Sequence, residues 1–128
     1  MYHHLSGRLV LKNPTYCVIE CGGVGYHVNI SLNTFEKLGS NESVKLFTHL
    51  IVREDAMTLF GFFDETERII FEKLLSVNGV GANTARLILS SLTPEDIISA
   101  IELEQVEVLK SVKGIGAKSA QRIIIDLK

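Results

Sequence analysis

Two short glycine-rich turns are the residues of this chain best suited to bind an anion. They read Asn78-Gly79-Val80-Gly81 and Lys113-Gly114-Ile115-Gly116, and each precedes a stretch with helical spacing of apolar residues. The first glycine of such a turn permits positive φ, and the second has no side chain to block a ligand. The amides that begin the next helix point outward at the positive end of the helix dipole. Each turn therefore predicts a site for a phosphate group.

The two turns belong to an internal repeat. Residues 76–90 and 111–125 are identical at seven of fifteen aligned positions, with a constant offset of 35 residues. One such turn alone is more often an ordinary tight turn, but two copies in register predict tandem helix-hairpin-helix motifs that hold the DNA backbone. The predicted DNA-binding residues are Gly79, Gly81, Asn83 and Thr84 in the first copy and Gly114, Gly116, Lys118, Ser119 and Arg122 in the second. Phosphate contacts carry no base information, so binding without sequence preference is expected.

Small and apolar residues of the repeat predict how each hairpin packs. Val80 and Ile115 should point inward between the helices, while Ala85 and Ala120 should let those helices approach closely. Lys118 adds positive charge in the second copy, so the two sites are expected to be unequal. Two copies related by a local pseudo-twofold axis are expected to hold both strands across a minor groove.

The elements that must position these turns fall into two halves. Residues 1–62 predict five strands, over 4–12, 15–21, 24–30, 44–52 and 57–62, with a short helix over 34–38 plugging one end. Closure removes the exposed edges of such strands, which favours a barrel of the oligonucleotide/oligosaccharide-binding (OB) type. From residue 63 the apolar period is helical. The chain is thus predicted to be multi-domain, β then α: a five-stranded OB-fold barrel over 1–62 and an all-α tandem helix-hairpin-helix domain over 63–128.

Capping patterns predict where helices begin in the second half. Asp64 and Glu67 have the spacing of a capping box, in which the later acid reaches back to the start of the helix. Thr93 followed by Pro94 and two acids predicts another helix start. Further short helices fit residues 104–110 and 117–128.

Composition and cysteine spacing argue against a membrane protein, a disulfide-bonded protein and a metal-dependent or ATP-binding enzyme. The formal net charge of −2 requires DNA contacts to be local and built partly from backbone amides. No apolar run is long enough for a bilayer and no signal peptide is apparent, so a cytoplasmic protein without a membrane partner is expected. Cys17 and Cys21 would lie about 13 Å apart on a strand, which predicts reduced thiols. No metal cluster, nucleophile with a base, or ATP loop is recognisable, so a non-catalytic chain without a cofactor is expected.

The barrel, the tandem hairpins and two further motifs together resemble the RuvA family of Holliday-junction-recognition subunits. The motifs are CGGVGY at residues 21–26 and THLIVREDA at residues 48–56, and the likeness covers essentially the whole chain. The resemblance implies a homotetramer, or a face-to-face octamer, that holds a four-way DNA junction open during recombination and repair. It also implies two partners, the RuvB motor, which uses ATP to pump duplex DNA, and the RuvC resolvase.

The same resemblance assigns roles to one turn of the barrel. It implies that Glu54 and Asp55 form an acidic pin, which fourfold symmetry gathers at the junction centre. It also implies that Arg53 contacts the DNA backbone at the crossover. From the residues alone, this segment would be a solvated turn. The chain has Asn83 where the family commonly has Lys, which predicts a shallower salt dependence. It also stops where the family continues into a motor-binding domain, so these residues are expected to bind junctions without stimulating the motor.

Two alternatives of other classes remain open at this stage. A DNA glycosylase or lyase could use one hairpin with Asp96 as its catalytic acid, although that acid is also explained as a helix N-terminal residue. A barrel that binds single strands should expose aromatic stacking platforms. The candidate aromatics mostly fit inward strand positions, which favours a core role; they are Tyr16, Tyr26, Phe47, Phe60 and Phe62.

Overall fold

The computed structural model describes residues 2–128 and divides them into two compact units. The first unit runs to Arg68 and the second from Ile69 to Lys128. The elements of the first half are β1 (His4–Lys12), β2 (Tyr16–Cys21), β3 (Val24–Asn29), α1 (Leu32–Leu38), β4 (Ser43–Val52) and β5 (Met57–Phe62). They are followed by α2 (Glu65–Leu75), α3 (Ala82–Ser91), α4 (Pro94–Glu102), α5 (Val106–Lys110) and α6 (Ala117–Leu127). The predicted fold class is confirmed, while the boundary at 62/63 stays a prediction because the units divide within α2.

The five strands form a closed barrel in the order β1-β2-β3-β5-β4. All neighbouring pairs are antiparallel except β3 with β5, which is parallel. Alternate residues of the strands fill the interior together with Leu38 of α1, which packs in the same core. The core consists of Cys17, Ile19, Val28, Ile30, Leu38, Val44 and Leu46.

The predicted core role is confirmed for Tyr26, Phe60 and Phe62, but of the five aromatic residues only Tyr26 points into the barrel. A Cβ atom placed on Gly61 would lie 2.4 Å from Val28 Cγ1, so this glycine faces the barrel interior. Phe60 and Phe62 flank it and therefore point the other way, where both are buried. Phe47 pairs with Phe62 and shares that outer face, half-buried. Strands with apolar residues on both faces give no alternation from which to predict direction.

Of the remaining two aromatic residues, Tyr16 lies at the surface and Tyr26 at the core. Tyr16 stacks on the exposed ring of His27 at 4.3 Å between centroids, on the outside of β2 and β3. Tyr26 packs against the barrel core, as predicted. Both cysteines are free, with Cys17 buried in the core and Cys21 half-buried, as the strand spacing predicted. Burial raises the pKa of the Cys17 thiol to about 11.

The two predicted capping boxes have different outcomes. Thr93 accepts from the Asp96 amide at 3.1 Å, and the Asp96 carboxylate accepts from the Thr93 amide at 3.4 Å. This role explains Asp96 without a catalytic function. At the start of α2, however, Glu67 is turned away from the helix end and accepts from the Ser31 and Thr34 hydroxyls. Asp64 pairs with Lys37 instead, so the capping box predicted there is wrong.

Candidate nucleic-acid interface

The two glycine turns have the same backbone conformation. Gly79 and Gly114 have φ values of 91° and 92°, in the region that favours glycine. Gly81 and Gly116 are the N-cap residues of α3 and α6, with φ, ψ of −92°, 177° and −89°, 177°. The sequence repeat therefore corresponds to a repeated structure.

Hydrogen bonds repeat at the same offset and explain why each turn keeps its shape. In the first hairpin the Val80 amide donates to the Val77 carbonyl at 3.1 Å, and in the second Ile115 donates to Val112 at 3.0 Å. The serine before each turn also donates its hydroxyl to a carbonyl three residues back, at 2.5 Å in both copies. Each turn is thus fixed from within its own hairpin.

The packing residues of the repeat are buried in matching pairs. Val80 and Ile115 are each only 7% exposed, and Ala85 and Ala120 are fully buried, as predicted. Further pairs buried at the same offset are Leu74 with Leu109, Val77 with Val112, Ile88 with Ile123, and Leu89 with Ile124. These side chains anchor both helices of each hairpin and leave the turn at the surface.

The amides at the start of α3 and α6 are available to a ligand. The first helical hydrogen bonds are those of Ala85 to Gly81 at 2.9 Å and of Ala120 to Gly116 at 3.0 Å. Within residues 2–128, the amides of residues 82–84 and 117–119 have no acceptor, and neither glycine cap supplies a side-chain bond. A Cβ atom on Gly81 or Gly116 would meet nothing within 4 Å, so the protein itself does not require glycine there. Each hairpin thus presents three amides without an acceptor beside an open surface, the arrangement with which helix N-termini bind anions.

Charge distinguishes the two hairpins. Lys118 is exposed at the start of α6, and no ion pair involves it among the described residues. Arg122 lies one turn later and has a 3.5 Å contact with Asp126. The first hairpin has the uncharged Asn83 in the place of Lys118, and its Thr84 is half-buried where Ser119 is exposed. The second hairpin therefore carries more positive charge beside its turn than the first.

An open depression of about 350 Å³ connects the hairpins within the second unit. It brings Asn78, from the first turn, to the α6 residues Lys118, Ser119 and Arg122. Gly79, Gly81 and Asn83 do not line it. The other lining residues are Gln121 and Ile125, the latter 76% exposed.

The predicted set of DNA-binding residues left out Asn78, Lys113 and Gln121, although the first two stand in the predicted turns. Asn78 and Gln121 reach the depression only through the packing of the two copies, and no pattern along the chain could have shown that. Lys113 was detectable, because it occupies the position of Asn78 in the second copy. It is exposed beside Gly114 and adds a further cation to the second turn.

The β4–β5 turn presents the carboxylates predicted for the acidic pin. Val52 and Met57 form the last strand pair, and the Arg53 amide donates to the Ala56 carbonyl at 2.8 Å. Glu54 and Asp55 are exposed at the tip of this tight turn. The structure therefore places two carboxylates and one guanidinium on adjacent exposed residues of the barrel unit.

Other kinds of site are not apparent among residues 2–128. No group of three or more His, Cys, Asp or Glu side chains could hold a metal ion there. Likewise, no helix in that range is long and apolar enough to cross a membrane.

Comparison with known families divides the chain as its fold does. Residues 1–61 match the model described as "RuvA N terminal domain". Residues 71–128 match the model described as "SAM-like Helix-hairpin-helix tandem".

Individual relatives align over the whole chain. It is 57% identical to the "Holliday junction branch migration complex subunit RuvA" of Christiangramia forsetii and 56% identical to the protein of that name in Flavobacterium psychrophilum, covering 66% of each. The protein of the same name in Bacteroides fragilis is 48% identical, with 64% covered. The chain thus spans a little under two thirds of the length of these relatives.

Proposed function

Because the chain belongs to the RuvA family, we propose that it binds four-way DNA junctions and holds them for branch migration. The binding is to backbone phosphates and is independent of base sequence. In this proposal the chain works in homologous recombination and DNA repair, in the cytoplasm where the DNA is.

The observation that carries the proposal is the pair of structurally equivalent hairpins. Both have unpaired amides beside an exposed glycine that has no role in packing. Asn78 of the first turn lines a depression whose α6 side carries Lys118 and Arg122. Two anion sites within one small unit suit the two strands of a duplex, and amide donors compensate for the net charge of −2. The residues proposed to contact phosphate are Gly79, Gly81, Asn83, Thr84, Gly114, Gly116, Lys118, Ser119 and Arg122.

Preference for a junction over linear duplex must come from another feature, since hairpins alone hold any duplex. We assign it to the β4–β5 turn in a homotetramer or octamer. Glu54 and Asp55 would gather at the junction centre and repel phosphates there, by about 1 kcal/mol per close pair in water. Arg53 would contact the backbone at the crossover.

The proposed partners follow from the relatives' names as subunits of a branch migration complex. A RuvB motor would hydrolyse ATP and move the DNA arms, and a RuvC resolvase would act on the same junction. The chain itself would be non-catalytic and need no cofactor.

A gel-shift comparison tests this function. A synthetic four-way junction and a linear duplex with the same arm sequence compete for the 128-residue chain, and the junction should bind more tightly. Gly81→Glu with Gly116→Glu should abolish binding to both, because each adds a negative charge beside the amides proposed to hold phosphate, while a Cβ atom at either position meets nothing within 4 Å.

The matched control adds the same charge elsewhere in the second unit. Ser91→Glu with Ser99→Glu places two carboxylates on exposed helix positions away from both turns. This pair should bind nearly as the unmodified chain does. Equal affinity of the unmodified chain for junction and duplex would refute the junction preference, and an unaffected glycine variant would refute the hairpin mechanism.

A further inference from the structure

The apolar inner face of the β4–β5 hairpin continues beyond the barrel into solvent. Leu46 on this face is fully buried in the core, and Thr48, opposite Gly61, is 2% exposed. The next pair, Leu50 with Leu59, is half-buried. The last pair, Val52 with Met57, is 59% and 68% exposed. Directly paired residues point to the same side of a hairpin, so these two form one apolar patch immediately below the acidic tip.

We propose that Val52 and Met57 contact unpaired bases at the centre of a bound four-way junction. The inference rests on the proposed function, in which the turn only repels phosphate, and adds an attractive contact of the turn with bases. The occupant must tolerate Glu54 and Asp55 within two residues of the patch, which disfavours phosphate.

Bases meet this condition better than any other part of a nucleic acid. Their faces are apolar enough to pack on Val52 and Met57, and exocyclic amino groups donate to carboxylates such as those of Glu54 and Asp55. Arg53 is exposed on the residue between the patch and the acids, where it can hold the phosphate of the same nucleotide.

The test uses a junction carrying 2-aminopurine beside the crossover, since this base brightens when it is unstacked. Binding of the unmodified chain should raise the fluorescence. In Val52→Ser with Met57→Ser the rise should be about fivefold smaller, because most of the apolar contact is lost. Junction affinity should change by no more than about threefold, since phosphate contacts dominate it. Met57→Leu, which keeps the apolar surface, should preserve most of the signal.

The matched control is Val24→Ser with Leu103→Ser, which removes the same chemistry at positions 52% and 65% exposed. It should leave the fluorescence rise unchanged. An unchanged rise in the Val52 and Met57 variant, with junction preference intact, overturns the inference alone. A variant that becomes a smaller oligomer by light scattering also overturns it, because the patch would then join copies of the chain. If the unmodified chain does not prefer the junction to the duplex, the proposed function itself fails.

Discussion

The Ser31 hydroxyl donates a 2.6 Å hydrogen bond to the buried carboxylate of Glu67, linking the N-cap of α1 to the first turn of α2 within the barrel unit. Thr34 donates a second bond of 2.5 Å, and its hydroxyl also accepts from the Phe63 amide at 3.1 Å. Glu67 is fully buried. Burial raises the pKa of this carboxyl, although the hydroxyl donors and the charge of Lys37 act in the opposite direction.

This raised pKa predicts that Glu67 makes the fold less stable as the pH increases. The unfolded chain releases the proton near the ordinary pKa of 4.5, whereas the folded chain keeps it to higher pH. The contribution of Glu67 is therefore full below pH 4.5 and lost as the pH rises through the folded pKa. Glu67→Gln should remove this loss because glutamine does not titrate. As the pH rises, the unfolding free energy of the variant should therefore increase relative to that of the parent.

Urea unfolding at a series of pH values measures this difference. Comparing the two proteins at each pH cancels the titration of other carboxyls. Glu67→Ala is the companion variant, and it should destabilise the fold by about 1–3 kcal/mol because two buried hydroxyls lose their acceptor. A difference between Glu67→Gln and its parent that does not vary with pH would contradict the prediction.

Glu67 also shows where sequence reasoning ends. Its spacing from Asp64 satisfies the local rule for a capping box, but the side chain instead binds hydroxyls more than thirty residues away. A local pattern cannot detect that competition, because it depends on α1 packing beside α2. The five strands and both hairpins were predictable, since short apolar runs between turn residues and the glycine turns are local properties. The depression that joins Asn78 to α6 was not predictable, because it depends on packing between segments that are distant in sequence.

The two glycines of each turn should respond differently to substitution. Gly79→Ala forces a side chain into φ of 91° and should destabilise the second unit by about 1–2 kcal/mol. Gly81→Ser meets open space in extended backbone, where serine is a good N-cap, and should stabilise the fold by about a few tenths of a kcal/mol.

The same Gly81→Ser change should weaken DNA binding. Its hydroxyl would accept from an α3 amide that otherwise donates to phosphate, a loss of about tenfold in affinity. Thermal unfolding and a gel shift on the same samples measure both effects. Stability and affinity that fall together would mean that this glycine serves the fold and not the ligand.

Salt dependence should reveal the inequality of the two hairpins. Lys118→Ala should reduce the slope of log K against log salt by about 1, because one phosphate contact is lost. Asn83→Ala should leave the slope unchanged, whereas Asn83→Lys should increase it by about 0.9. Lys110→Ala is the control, since Lys110 lies on α5 and contacts Glu107 at 3.6 Å. Equal slopes for the Lys118 and Lys110 variants would show that Lys118 does not contact a phosphate.

The acidic turn should set selectivity and not overall affinity. In Glu54→Gln with Asp55→Asn the shape of the exposed turn is kept while two negative charges are removed. Loss of phosphate repulsion should let linear duplex bind more tightly, and the junction-to-duplex affinity ratio should fall about fivefold. Glu95→Gln with Glu102→Gln makes the same change in net charge on exposed positions of α4, and should alter both affinities by an equal factor. Competition binding measures the ratio directly. If both variants change it alike, net charge and not the position of Glu54 and Asp55 determines how the chain discriminates between DNA shapes.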